Sequence, residues 1–192
     1  MLKVLRIGTR DSKLALIQSH WVRERLLEKY PDLQIEIIEI KTQGDKILDV
    51  ALSKIGDKGL FTKELETELL ARTIDLAVHS MKDLPTQLPT GLEIIATSIR
   101  EDVRDVVCLS EHALARGVQS IDAAKVIATS SLRRVAQLKR QYPNASFVDI
   151  RGNLQTRFKK LDDPDNNIDA MILAAAGLHR LGLESRISQY LD

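Results

Sequence analysis

The stretch Ile74-Asp75-Leu76-Ala77-Val78-His79-Ser80-Met81-Lys82-Asp83-Leu84-Pro85 points to an α/β fold and to the place in it where chemistry would sit. Residues 74–78 are apolar but for one acid, Asp75, and predict a short buried strand. Pro85 and Pro89 bar that run from continuing as a helix or a central strand. An ammonium and a carboxylate, Lys82 and Asp83, therefore sit at a strand exit, where open α/β sheets collect their ligands. For any Lys-Asp dipeptide the bland alternative is a solvated turn pair.

Working outward, the rest of the chain repeats this plan. Residues 4–8 read as a strand closed by Gly8, and Asp11 or Ser12 is placed to cap the next helix. That helix spans 13–29, with Leu14, Ile17, Trp21, Val22, Leu26 and Leu27 on its inward stripe and Pro31 as its stop. A strand over 33–40, a helix over 61–71 (Phe61, Leu65, Leu69 and Leu70 inward) and a strand over 92–97 complete a first lobe. The charged segment 98–104 reads as a hinge between a first domain, 1–98, and a second, 99–192. In the second, strands at 105–109, 125–128, 146–150 and 169–173 alternate with helices from 132 to 141, from 154 to 161, and a short one containing Arg180. Alternating strands and helices predict doubly wound construction.

Composition limits the function classes. At 192 residues the chain can bury a real core, and 44% hydrophobic with 29% charged residues is ordinary for a soluble globular protein. A formal net charge of +1 argues against a bulk nucleic-acid binder, and 4% aromatic content leaves few platforms for stacked bases. The lone cysteine, Cys108, reads as a buried strand residue rather than a nucleophile. Lys3, Arg6, Arg10, Asp11 and Lys13 interrupt any leader-like apolar run, and the run 170–178 is too short to span a bilayer. A cytoplasmic protein with neither nucleic acid nor membrane as partner is expected. His20, His79, His112 and His179 lack short-spaced partners, so no metal site is expected.

Guanidinium groups recur at the strand exits: Arg10, then Arg133 with Arg134, then Arg151 with Arg157, and Arg180 at greater remove. Planar forks at such positions suit several carboxylates or phosphates. The Thr129-Ser130-Ser131 hydroxyls precede a helix N-terminus, where free N–H groups favour an anion. The alternative is a plain N-cap with arginines paired to acids. The loop carrying Lys54 and Lys58 reads as mobile, either closing over an anion or lying on the surface. Asp83 facing such a pocket would shuttle a proton or steady a developing cation, and nearby arginines favour the second role.

These residues lie in runs that resemble the hydroxymethylbilane synthase (porphobilinogen deaminase) family. The runs are Ile7-Gly8-Thr9-Arg10-Asp11-Ser12-Lys13-Leu14-Ala15-Leu16, Gly59-Leu60-Phe61-Thr62-Lys63-Glu64-Leu65-Glu66, the stretch from Asp75 to Pro85, Thr129-Ser130-Ser131-Leu132-Arg133-Arg134, Arg151-Gly152-Asn153-Leu154-Gln155-Thr156-Arg157, and Ala175-Ala176-Gly177-Leu178-His179-Arg180-Leu181-Gly182. The resemblance implies two doubly wound lobes like type II periplasmic-binding-protein domains, with a cleft between them. It implies head-to-tail condensation of four porphobilinogens with release of ammonia, on a covalently held dipyrromethane cofactor, in a monomer. Asp83, with Lys82, falls at the catalytic position, where the family's carboxylate assists loss of ammonia and stabilises an azafulvene-like cation. Arg10, Ser12, Lys82, Arg133, Arg134, Arg151, Arg157 and Arg180 match groups that bind acetates and propionates. Thr129, Ser130, Ser131 and Gly152 belong to the neighbouring anion-binding turns. Lys54, Lys58 and Phe61 resemble the lid.

The family has a third domain whose cysteine anchors the cofactor, and no stretch here resembles it. Cys108 lies in the wrong context for that role. This chain alone is therefore expected to lack the dipyrromethane and to be inactive. The rival expectation is a cytosolic two-lobed carboxylate- or anion-binding module.

Overall fold

The structure, a computed structural model, describes residues 4–46 and 59–191. These fall into two compact units, one of residues 4–46 with 59–98 and the other of residues 99–191.

In the first unit, β1 (Leu5–Arg10) is central, with β2 (Ile35–Ile40) and β3 (Leu76–Ala77) parallel on its two sides. Ile7 is fully buried, and the missing side chain of Gly8 lets Ile74 approach so closely that a Cβ would lie 2.3 Å from its Cδ1. The register that pairs Ile7 with Leu76 sets Arg6 beside Asp75. The Asp75 carboxylate accepts from the Arg6 backbone N–H (2.8 Å), Nε (3.1 Å) and Nη2 (2.9 Å), a fork that fixes β3 on β1. The lone acid of the apolar run is thus half of a lock between strands. Helix α1 (Lys13–Lys29) starts where the Ser12 hydroxyl accepts from the Ala15 N–H and ends at Tyr30, just before Pro31. Trp21, expected on the inward stripe, is 46% exposed. Helices α2 (Gln43–Lys46) and α3 (Lys63–Leu70) follow, and Leu70 also turns outward.

The strand expected over 92–97 does not form. No described strand lies beside β3 to receive it, and a lone alternating segment has no ladder to join. Ile95 and Ile99 are 73% and 95% exposed.

In the second unit the elements run β4 (Asp105–Leu109), α4 (Glu111–Ala115), β5 (Val126–Ala128), α5 (Leu132–Gln141), β6 (Ser146–Val148), α6 (Leu154–Asp162), β7 (Ala170–Ala174), α7 (Ala175–Leu181) and β8 (Gln189–Leu191). They form one sheet of order β6-β5-β7-β4-β8. Strands β5, β6 and β7 are parallel, but β4 is antiparallel to both β7 and β8. The sheet is therefore mixed rather than wholly parallel, and β8 adds a strand that no expectation included.

Both faces of this sheet are covered, which explains the unbroken apolar runs of β4 and β7. Val106, Cys108, Met171 and Leu173 pack on one side with Phe158 and Leu161 of α6 and Leu178 of α7. Val107, Leu109, Ala170 and Ile172 pack on the other with Leu138 of α5 and Ile121. The buried Asp169 accepts from the N–H groups of Lys125 (2.7 Å) and Val126 (3.0 Å) and pairs with Arg116, tying β5 to β7. Among the described residues, no helix is long and apolar enough to cross a membrane.

Cys108 is fully buried in β4, and burial pushes its thiol up to about 12. The thiol should therefore resist iodoacetamide at pH 8 in the folded chain and react once guanidinium unfolds it. Equal labelling rates in both states would contradict this packing.

Candidate functional site

Candidate groups gather at one place on each unit. On the first, parallel pairing delivers the carboxyl ends of β1 and β3 to the same edge of the sheet. After β3 the chain turns through Ser80, whose hydroxyl donates to Gln18 Oε1 on α1 at 3.2 Å. A single 3-10 turn, Met81–Asp83, follows, closed by the Asp83 N–H donating to the Ser80 carbonyl at 2.9 Å. Pro85 then prevents any helix from growing. Lys82 is exposed on this turn and Asp83 half-buried. Arg10, at the end of β1, lays its guanidinium over the Phe61 ring, 4.2 Å from the centroid. Phe61 itself packs where Gly44 has no side chain, since a Cβ there would sit 2.2 Å from the ring. Ser12 spends its hydroxyl on the α1 cap.

The imidazole of His79 joins these groups. Burial holds its pKa below the usual histidine value, Asp83 and Glu66 pull it up, and Arg10 pushes it down. Arg10 and Asp83 thus act on one imidazole, which sequence reasoning passed over. The signal was its place in the quoted stretch, four residues before Asp83.

On the second unit, the expected anion turns lie where β5 and β6 end. Their hydroxyls are already occupied. Ser130 Oγ donates to the Ile150 carbonyl (2.9 Å) and accepts from the Ile150 N–H (3.1 Å), tying the ends of β5 and β6 together. Ser131 caps α5 through the Arg134 N–H, and Thr129 Oγ1 accepts from the Ser131 N–H. These side chains shape the turn, leaving to an anion the first N–H groups of a ten-residue helix.

The arginines divide into three situations. Arg134 is engaged: Nε and Nη2 meet Asp105 at 2.8 and 2.6 Å, and Nη1 donates to the Ile172 carbonyl at 3.1 Å. Asp105, the first residue of β4, was the missed partner. Arg133 is exposed on the first turn of α5, and Arg180 lies on α7, where its charge acts on Glu101. Arg151 and Arg157 differ. Arg151 is 8% exposed and its Nη1, shut off from water, has no hydrogen-bond partner among the described residues. Arg157 donates through Nε to the Gly152 carbonyl at 2.8 Å. Burial lowers its pKa, and the charges of Arg134 and Arg151 lower it further. Neither has a carboxylate within ion-pair distance among the described residues. Lys54 and Lys58 lie outside the described residues. Among those described, no cluster of side chains has the makings of a metal site.

Residues 5–192 match the family model described as "Porphobilinogen deaminase, dipyromethane cofactor binding domain". Porphobilinogen deaminase of Gloeobacter violaceus is 55% identical over 193 residues, an alignment covering 100% of this chain and 58% of that protein. The Desulfitobacterium hafniense protein of the same name is 56% identical, with 98% and 59% covered. The chain thus spans under three-fifths of the length of these curated relatives. Among solved structures, the periplasmic VFT2 domain of Bordetella pertussis BvgS aligns with a TM-score of 0.50 at 17% identity, covering 99% of this chain and 76% of that one. That likeness shows the fold alone, and it fits the periplasmic-type α/β plan.

The loop that presents Arg151 and Arg157 depends on Gly152, whose φ is +113° and whose added Cβ would lie 2.7 Å from Thr156 Cγ2. Gly152→Ala should cost about 1–3 kcal/mol in urea melts. Gly182→Ala, also at positive φ but in open space, should cost about 1 kcal/mol. Equal losses would show that the Thr156 contact carries no strain.

Proposed function

The chain belongs to the porphobilinogen deaminase family, and from that premise we propose that it serves as the hydroxymethylbilane synthase of its cell, condensing four porphobilinogens head to tail with release of ammonia. The observation that carries this reading is the pair Arg151, buried, and Arg157, half-buried, cations that no carboxylate of the described chain neutralises. Each pyrrole brings two carboxylates, and buried guanidiniums bind such groups far better than water-exposed ones.

In this reading, domain 1–98 supplies the catalytic carboxylate and domain 99–192 the anion-binding loops. When porphobilinogen loses ammonia, the C–N bond breaks with its electron pair on nitrogen, and positive charge spreads from the methylene into the pyrrole. Asp83 faces that charge as a fixed anion, with Lys82 beside it. Arg10, Ser12, Arg133, Arg151, Gly152, Arg157 and Arg180 hold acetate and propionate groups. The Thr129-Ser130-Ser131 turn presents backbone N–H groups, and Arg134 contributes charge already shared with Asp105.

The orphaned donor of Arg151 fits a dipyrromethane, whose side chains are carboxylates. When bound, that group supplies the end onto which pyrroles are added. Cys108, buried in a strand and hard to ionise, does not suit its covalent anchor. A cytoplasmic monomer acting on a small molecule, without nucleic acid or membrane, completes the proposal.

Asp83→Ala in the complete gene product should lower ammonia release from porphobilinogen by roughly 10²–10³-fold. Normal turnover would remove Asp83 from the mechanism. Arg151→Gln should raise KM for porphobilinogen or block cofactor retention, and an unchanged value of both would sink the anion-binding role.

A further inference from the structure

Residues 98–104 read by sequence as a connection between two domains, yet residues 101–104 are fastened to the second unit. Glu101 Oε1 accepts from the Asp102 N–H at 3.0 Å and lies 3.7 Å from His179 Nδ1 on α7. The other ring nitrogen of His179, Nε2, shares a hydrogen bond of 3.1 Å with the Tyr190 hydroxyl on β8. The Tyr190 ring in turn carries the Arg104 guanidinium, 4.0 Å from its centroid. Asp102 holds that guanidinium in place, accepting from Nε at 3.1 Å and from Nη2 at 2.7 Å. It also accepts from the Arg104 N–H at 3.0 Å. Arg104 pulls the Asp102 carboxyl down to about 2, so this anchor stays charged. The contacts close into a ring, from Glu101 through His179, Tyr190, Arg104 and Asp102 back to Glu101.

Two members matter by their place in the fold. Tyr190 is the middle residue of β8, an edge strand of the sheet, opposite Val106 of β4. With three residues and β4 as its neighbour, β8 is weakly secured by backbone pairing alone. Arg104 stands just before β4, and its carbonyl accepts from the Ala175 N–H at the start of α7 (3.0 Å). The segment by which the chain enters the unit is thus tied to a strand near residue 191.

We propose that Glu101, Arg104, His179 and Tyr190 form a latch that couples the entry segment to β8. Residues 101–104 stay fastened while β8 is paired with β4, and they come loose when it leaves. The coupling is reciprocal, because contacts that steady one end steady the other by the same factor. Residues 98–100, where Ile99 is 95% exposed, lie outside the latch. The coupling stands on these contacts whether or not the chain condenses pyrroles.

Amide hydrogen exchange followed by NMR in the complete gene product tests the latch at the Arg104 and Ala175 N–H groups. Tyr190→Leu removes hydroxyl and ring together and should speed exchange at both about tenfold. Tyr190→Phe keeps the ring and should speed it about threefold. Glu101→Ala should do the same at Arg104 and, by reciprocity, in β8. The decisive variant is Ser188→Pro, which leaves every latch residue in place. It deletes the N–H that donates to the Val107 carbonyl (2.8 Å) and the hydroxyl that accepts from the Leu109 N–H (3.1 Å), loosening β8 from its other end. Exchange at Arg104 should rise with exchange in β8, and adding Ser188→Pro to Tyr190→Leu should bring no further rise at Arg104. Amides of β5 and β6 should keep their rates throughout. If Tyr190→Leu unfolds the whole sheet, Tyr190→Phe carries the same sign. Arg104 and Ala175 unmoved in both Tyr190 variants, or unmoved in Ser188→Pro while β8 exchanges faster, would overturn the proposal.

Discussion

Positive charge only partly countered among the described residues governs the second unit. Arg134, Arg151 and Arg157 crowd the ends of β5 and β6, and among the described residues Asp105 neutralises Arg134 alone. Leaving a guanidinium buried and unpaired costs several kcal/mol, so the local structure must hold it there by other means. The means are visible: Ser130 staples β5 to β6, Gly152 makes a turn that other residues enter only with strain, and the Gly152 carbonyl receives Arg157. A ligand rich in carboxylates, as proposed above, would relieve that repulsion.

The first unit solves the opposite problem. The chemistry proposed for it would need a carboxylate held out at a strand end, and the fork between Arg6 and Asp75 fixes the two-residue β3 so that the following turn has a firm root. Such a short strand would be a weak platform by itself. The 3-10 turn, stopped by Pro85, leaves Asp83 half-buried instead of burying it in a longer helix.

Much of this was legible in the residues, within physical limits. The runs Val106-Val107-Cys108-Leu109 and Ala170-Met171-Ile172-Leu173 announced strands, and the structure covers both faces of each. Periodicity carries no direction, however, so the antiparallel pairing of β4 went unseen. Trp21 and Leu70 satisfy a helical stripe yet lie 46% and 52% exposed, because a stripe shows which face is apolar but not how much of it is covered. Residues 92–97 have the composition of a strand, and a strand exists only beside a partner. In the site, the arginine positions could be read, but their engagement could not. Asp105 lies 29 residues from Arg134 in sequence, and only the sheet brings them together.

The order of strands also sets a timetable for synthesis. The first sheet has all three of its strands once Ala77 has been made. In the second sheet β4 is flanked by β7 and β8, so residues 105–109 must wait for residues 170–174 and 189–191 before either edge is satisfied. At roughly 5–20 residues per second, the 82 residues from Leu109 to Leu191 take on the order of 4–16 s on a ribosome. During that interval Val106, Val107, Cys108 and Leu109 form an apolar ribbon with open edges, and it is the nascent chain, more than the finished fold, that most needs a chaperone's shelter.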